Sequence, residues 1–383
     1  MASFASLPRA RVDPMLMLME KVKQDTHQHK VDLGVGVYRD EQGSYYEFPA
    51  IRKYSPHTGI QPFVKLAAQF MFGHSFELER VASVQTVAGT GANRIGASFL
   101  RAHYAKGNEA TKAFVGVPTW GNYLPLLAHA GISTATYRYY DESTHEVDFI
   151  SILGTAKNAP LHSIFVFQGC CNNPTGADMT KEQWKALSEV IKSRSHFIFF
   201  DMAYQGLGTT KPDDGWEDAW AVRHVAKQGI DMLVCQSFSK NMGLYSELAC
   251  WCLMRWEIST APAYGARLAE IILQTPELRE QWKQELSEAA ARLAKNRENL
   301  YRELTTVCNT PGNWDHILQD KGLFSLLGLS ERQVDMLIAR YHIYLPRNGR
   351  INVAGLNDSN VHAVARGIDN VVRDCSNPLM EEI

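Results

Sequence analysis

The 383-residue chain has no excess of either charge: 39 lysines and arginines stand against 41 aspartates and glutamates, a formal net charge of −2. That balance supplies no electrostatic argument for a nucleic acid or an anionic membrane as partner. Long hydrophobic runs are also lacking; none approaches the roughly 20 apolar residues that a membrane-spanning helix needs. The opening stretch "MASFASLPRARVDP" carries two arginines but no apolar segment, so no secretory leader is expected. Cysteine is sparse, seven in all, and neither Cys170-Cys171 nor Cys250-x-Cys252 has metal-finger spacing. Both pairs sit in apolar runs and read as reduced thiols packed as small core residues, which favours a cytoplasmic location and no metal. Internal repeats, low-complexity tracts and linker runs are absent too, so domain limits come from the order of elements.

What is present is a chain long enough for a sizeable core and two domains in one unit. From residue 81 strands and helices alternate. "SVQTVAG" reads as a strand and "ANRIGASFLRAHYA" as a helix; "KAFVGVP", "TATYRYY" and "SIFVFQ" read as short buried strands. Thr180 and Gln183 form a capping box that opens the helix "KEQWKALSEVIKSR". "HFIFFD" is a strand, "WEDAWAVRHVAKQG" a helix ending on Gly229, and "DMLVCQSFS" another strand. Near-continuous apolar strands alternating with helices predict an α/β fold with a mostly parallel sheet covered on both faces. Residues 276–307 then form a long amphipathic helical stretch through Leu278, Trp282, Leu286, Leu293, Leu300 and Leu304. After it come "GLFSLLGL", a helix capped by Ser330 and Gln333, the strands "HIYLP" and "RINVAGL", and a last helix from about Ser359. The expected division is a large domain over 31–289 and a smaller α+β domain from 1–30 and 290–383.

In an open α/β sheet, ligands collect outside the carboxyl ends of the strands. Four segments fall there. "AGTGAN", residues 88–93, turns from an extended run into a helix, where small residues let amides close on an anion; such glycines also serve plain tight turns. "CNNPTG", residues 171–176, is an Asn-Pro turn that needs no function as a turn. "FFDMAY" ends an apolar run on Asp201 and adds Tyr204, and a buried carboxylate must find a cation or several donors. "SFSK" ends on Lys240, which either surfaces there or works as an amine nucleophile carrying a carbonyl cofactor as a Schiff base. Together they match one cofactor, pyridoxal 5′-phosphate. It needs a lysine for its aldehyde, a carboxylate to keep its ring nitrogen protonated, a phosphate cup and polar groups at its ring hydroxyl. Lys240, Asp201, the Gly89–Thr90–Gly91 turn, and Asn173 with Tyr204 supply that inventory.

The motifs "VDLGVGVYRD", "GTGANRIG", "PTWGNY", "NNPTGAD", "FFDMAYQG", "QSFSKNMGLY", "GLFSLLGL" and "GRINVAGL" resemble, in order and rough spacing, the aspartate aminotransferases. These are class I, fold-type I pyridoxal-phosphate enzymes. The resemblance spans nearly the whole chain and implies a mostly parallel, seven-stranded-type sheet covered by helices, with a smaller α+β domain. It implies ping-pong transfer of an amino group between an L-amino acid, aspartate or glutamate first, and a 2-oxo acid. Lys240 would carry the internal aldimine, and Asp201 would pair with the ring nitrogen. Asn173 and Tyr204 would contact the ring oxygen, Trp120 would stack on the ring, and Ser237, Gly89 and Thr90 would bind phosphate. Arg350 would clamp the substrate α-carboxylate as a bidentate fork, and Gly36 would let the N-terminal segment close over the substrate. A homodimer with shared active sites is implied, Tyr54 reaching the partner's phosphate.

Several positions depart from the family's pattern. Leu248 stands where it has a phosphate-binding arginine, and Tyr123 and Gln168 stand where it has histidines supporting the aspartate. The stretches before "KYSP" and before "APAYGAR" are short by roughly a helix each, beside the family's length. Arg255 either supplies the arginine for a distal substrate carboxylate or simply ends the strand "LACWCLM". Two other readings stay open: a pyridoxal-phosphate enzyme with another amino donor or β-elimination chemistry, and a catalytically weak relative serving as a binding or structural protein.

Overall fold

The computed structural model describes residues 14–27, 29–34, 38–43, 61–73, 76–105, 111–209, 217–244 and 264–375. In chain order its strands are β1 (Val31–Asp32), β2 (Lys112–Val117), β3 (Ser133–Arg138), β4 (Tyr140–Asp141), β5 (Glu146–Val147), β6 (Ile164–Gln168), β7 (Phe197–Met202), β8 (Met232–Gln236), β9 (Phe324–Leu326), β10 (Ile343–Tyr344) and β11 (Arg350–Asn352). The central sheet runs β3-β2-β6-β7-β8, and every neighbouring pair is parallel. Parallel neighbours need a crossover rather than a hairpin. The helices Tyr123–His129, Phe149–Asn158, Lys181–Ser193 and Trp220–Lys227 supply those crossovers. β7, "FIFFDM", is buried at all positions, as a strand covered on both faces must be.

Local chemistry sets the element ends where it was expected to. Thr180 and Gln183 bond reciprocally at the start of the helix Lys181–Ser193, and Ser330 with Gln333 does the same for Glu331–Tyr341. Each box satisfies amides that a helix start leaves open. Gly229 ends its helical segment at φ +67°, a conformation that costs glycine nothing. The helix Ala88–Phe99 lies close to β7 and β8 because Gly96 faces them. A Cβ there would stand 2.7 Å from the Phe199 ring and 2.8 Å from Leu233.

Beyond the sheet, the helix Pro276–Arg302 buries Leu278, Trp282, Leu286, Leu293 and Leu300 along one side, and Leu304 continues the row. The remaining strands are short. β9 and β11 pair antiparallel, and β1 pairs parallel with β10. The first described strand is thereby joined to the last third of the chain.

One expected element is absent. "SVQTVAG" forms no ladder; the helix opens at Ala88, with Val87 as its cap residue. Thr86 Oγ1 donates to the Ala88 carbonyl and the Gly91 amide to the Val87 carbonyl, so the end of the segment is bonded into the helix start. The run "LACWCLM" lies outside the described residues, among which the central sheet has five strands. No helix among the described residues is long and apolar enough to cross a membrane.

Candidate active site

The register of the sheet assembles the site. Asp201 on β7 stands opposite Gln168 on β6 and Cys235 on β8, all at carboxyl strand ends. Asn173 follows β6, Tyr204 follows β7, Trp120 follows β2, and Ser237 and Lys240 follow β8. Five of the sequence candidates therefore leave four adjacent strands on the same edge.

Asp201 is buried, and its two oxygens differ. Oδ2 accepts from the Tyr123 hydroxyl at 2.6 Å and from Asn93 Nδ2 at 3.1 Å. Oδ1 is enclosed and makes no hydrogen bond among the described residues. Burial pushes the carboxyl up; the bonds from Tyr123 and Asn93 and the charge of Lys240 pull it back. Lys240 is held down by burial, against the opposing pull of Asp201. Its Nζ lies 5.7 Å from the centroid of the Tyr204 ring. A lysine amine with a lowered pKa beside a buried carboxylate is the arrangement that amine nucleophiles use.

Asn173 links that floor to the opposite rim. Its amide nitrogen donates to the Tyr204 hydroxyl at 3.4 Å, while its Oδ1 accepts from Arg350 Nη1 at 2.7 Å. Arg350 Nη2 donates to the Gly34 carbonyl at 2.9 Å, and the guanidinium lies 4.2 Å over the Phe324 ring. Arg350 Nε, enclosed, has no partner among the described residues. The turn carrying Asn173 is pinned from below. Gln168 exchanges two bonds of 2.9 Å with the Asn173 backbone, and Asp178 accepts from the Cys171 and Asn172 amides. Gly176, at φ +75°, lets the turn press on the chain leading into β9, since a Cβ there would stand 2.4 Å from the Phe324 carbonyl oxygen and 2.7 Å from Asp320 Cβ.

At the end nearest β8, the helix Ala88–Phe99 presents its first turn to Ser237. A Cβ on Gly89 would sit 3.2 Å from Ser237 Cβ and 3.4 Å from its Oγ, so a side chain at position 89 would crowd this cradle. Thr90 is exposed beside it. Trp120, half-buried, meets Tyr123 edge to face. Gly36, Tyr54, Arg255 and Leu248 lie outside the described residues.

Asn93, inside a glycine-rich turn, is not legible in the sequence as a donor to Asp201, whereas Tyr123 stands where the family's pattern has a histidine supporting the aspartate. Asp218 was not singled out either; its Oδ2 accepts from the Gly206 and Gly208 amides, and its carboxylate gathers with the Cys170 and Cys171 sulfurs within 4.8 Å beneath the turn.

The chain is similar to known proteins over nearly its whole length. The family model "Aminotransferase class I and II" matches residues 28–368. The chain is 39% identical to the cytoplasmic aspartate aminotransferase of Schizosaccharomyces pombe, across 97% of this chain and 98% of that one. Among solved structures it is similar to the broad specificity aminotransferase from Leishmania mexicana, with a TM-score of 0.90, 35% identity, and 97% and 98% of the two chains covered. It is also similar to the aromatic-amino-acid aminotransferase from Burkholderia pseudomallei covalently bound to pyridoxal phosphate, with a TM-score of 0.89, 33% identity, and 97% and 100% covered.

Proposed function

Because the chain belongs to the aminotransferase class I and II family, we propose that it moves the amino group of an L-amino acid to a 2-oxo acid with pyridoxal 5′-phosphate held on Lys240, aspartate and glutamate being the first donors. The observation that carries this reading is the enclosed, unpartnered Oδ1 of Asp201 on the strand adjacent to the one that leads to Lys240. A buried carboxylate oxygen left without a donor is costly unless a ligand supplies one. The ring N–H of the cofactor is such a donor, so the residues fit the group.

Bound pyridoxal phosphate supplies an aldehyde for a lysine amine and an electron-withdrawing ring that eases proton loss from the substrate α-carbon. Asp201 keeps the ring nitrogen protonated. With that group bound, Lys240 would carry the proton from the substrate α-carbon as general base and return it as general acid. Its pKa, lowered by burial, suits both directions. Asn173 and Tyr204 hold the ring oxygen. Trp120 covers the ring face. Ser237, Gly89 and Thr90 take the phosphate, and the cradle at Gly89 supports that assignment. Leu248 brings no charge where the family's pattern has arginine, so looser retention of cofactor is part of the reading. Arg350, held by Asn173 and Gly34, offers its fork to the substrate α-carboxylate.

The closing role of Gly36, the reach of Tyr54 and Arg255 across a homodimer interface, and shared active sites belong to the same proposal. So do the division into 31–289 and 1–30 with 290–383, the cytoplasmic location, and the choice of donor. The bonds of Asp25 to His342 and Tyr344 support grouping 1–30 with 290–383, whereas β1, the first two residues of the proposed large domain, pairs across that boundary with β10. The names of the relatives include both cytoplasmic and mitochondrial forms. Protein loaded with pyridoxal phosphate and mixed with aspartate should lose the absorbance of the lysine-bound cofactor and regain it on adding 2-oxoglutarate. Lys240→Ala should lower turnover roughly 10⁴-fold, the upper range for a positioned acid–base group. A Lys240→Ala protein that turns over at the parent rate refutes the reading.

A further inference from the structure

Beneath the turn that carries Asn173, two thiols and a carboxylate meet that have no part in the chemistry assigned above. Cys170 and Cys171 follow β6 and are 5% and 1% exposed; Asp218, 8% exposed, lies in the short helical segment Glu217–Ala219. The two sulfurs and a carboxylate oxygen all lie within 4.8 Å of one another, the one such gathering of three His, Cys, Asp or Glu groups among the described residues. Adjacent residues of an extended chain send their side chains to opposite sides. Here Cys171 has φ +53°, which swings its sulfur back to within bonding reach of Cys170. Asp178 holds that backbone, its two oxygens accepting from the Cys171 and Asn172 amides at 2.8 and 3.0 Å. The Asp218 carboxylate is oriented in the same way, its Oδ2 accepting from the Gly206 and Gly208 amides at 2.8 and 3.0 Å. Gly208 lets thiol and carboxylate approach: a Cβ there would stand 2.8 Å from Asp218 Oδ1 and 2.8 Å from Cys171 Sγ.

We infer that Cys170, Cys171 and Asp218 form a binding site for a zinc-type divalent cation, which ties the turn before Asn173 to the chain after Tyr204. Two sulfurs and one oxygen suit a borderline-soft ion, whereas magnesium and calcium need a shell of oxygens. A tetrahedral zinc centre has bonds of about 2.3 Å to sulfur and about 2.0 Å to oxygen, so its ligand atoms stand roughly 3.5–3.8 Å apart. The three groups therefore close by about 1 Å at most. Water or the Tyr204 carbonyl, to which Cys171 Sγ donates at 3.9 Å, completes the fourth position. The cation bonds to both sulfurs and to the carboxylate, and the two thiol protons leave to solvent. Lys321 and Arg297 act on the same cluster from the other side and, with the cation, offset the charge of the thiolates, Asp178 and Asp218. Buried cysteines alone are ordinary core fillers. A carboxylate brought into the core against them is not, because burying it is costly.

Spacing hides this site, which is why the sequence leads to an expectation of no metal. Adjacent cysteines match no finger pattern, and the third ligand belongs to the connection between β7 and β8.

Full-length protein, stripped of cofactor and metal and kept reduced by a phosphine, is titrated with Cd²⁺. One equivalent should raise the ultraviolet charge-transfer band of cadmium thiolate and release two protons. Zn²⁺ should displace the cadmium, and should raise the thermal midpoint in step with the logarithm of its concentration. Cys171→Ala should abolish the band. Asp218→Asn keeps the volume and can still accept from the two amides. It should show the band at saturation with affinity lowered at least about tenfold, the least that losing even an outer partner of a metal costs. Replacing Cys250 and Cys252 together by alanine should leave the band as in the parent. No band at one equivalent, a band that survives Cys171→Ala, or a band lost with Cys250 and Cys252 overturns the site. Unchanged affinity in Asp218→Asn overturns the share of the carboxylate, and that variant decides the matter if Cys171→Ala does not fold. The titration contains no pyridoxal phosphate, so failure of the cofactor reading leaves its outcome untouched.

Discussion

Asp201 and Asp320 are both buried carboxylates with one enclosed, unpartnered oxygen, yet their surroundings differ in kind. Asp201 ends a strand of the central sheet, takes two donors on one oxygen, and has Lys240 within electrostatic reach. Asp320 lies between the short helix His316–Gln319 and β9, beside Arg297, whose Nε and Nη1 also lack partners. Burial drives Asp320 up to about 7, against the pull of the Arg297 charge. Arg297 meanwhile spends its Nη2 on the Phe324 carbonyl at 2.6 Å. An unmet buried oxygen is thus no functional mark by itself. What singles out Asp201 is that its open oxygen stands at a strand end beside an amine of lowered pKa, whereas Asp320 is enclosed by packing around a buried arginine.

The largest test of that contrast is turnover. Asp201→Asn should lower kcat roughly 10²- to 10³-fold, the scale for removing one preorganised electrostatic group. Asp320→Asn should leave kcat within about twofold, on the principle that only groups acting on the reacting centre carry such factors. Steady-state kinetics of the two variants side by side would erase the distinction if their losses were equal. Next in size comes the rim. Arg350→Lys keeps a charge but loses the fork, so KM for the amino donor should rise roughly 10- to 100-fold with a smaller change in kcat. The smallest effect concerns stability. A carboxyl raised in the folded state contributes stability at low pH and loses it as pH climbs through the folded value, here about 7. Asp320→Asn should flatten the fall in unfolding free energy between about pH 4 and 7, by at most about 1.4 kcal/mol per pH unit for one group. Denaturant unfolding across that range reads the slope directly.

The same contrast explains what could be read beforehand. The strands that carry Gln168, Asp201 and Cys235 are near-continuous apolar runs, and in β6 and β7 burial on both faces writes itself into sequence that way. Lys240, Asp201, Asn173, Tyr204 and Ser237 followed those runs closely enough to be picked out as strand-end residues. "SVQTVAG" misled because a short alternating stretch says nothing about whether a neighbour is there to pair with it. The bond to Asp201 from Asn93, 108 positions away, has no local signal at all, and that from Tyr123, 78 positions away, shows only through the family's pattern. They arise from how two helix starts lean over one strand end, which is set by packing such as that at Gly96.

The bond from Arg350 to the Gly34 carbonyl joins positions 316 residues apart, and that span gives the site a history as well as a shape. Chain length alone adds little to the free energy of closing such a loop, since each doubling costs only about 0.6 kcal/mol. It adds time. At roughly 5–20 residues per second, a ribosome that has just released Lys240 needs roughly 5–20 s more to reach Arg350. During that interval β6, β7 and β8 and the candidate groups at their ends already exist as polypeptide, while Gly34 has no guanidinium to meet and β1 has no β10 to lie against. The proposed lysine end of the site is thus synthesised before the arm that would hold a substrate in place. A chain cut short after residue 244 should retain the makings of the floor and none of the rim.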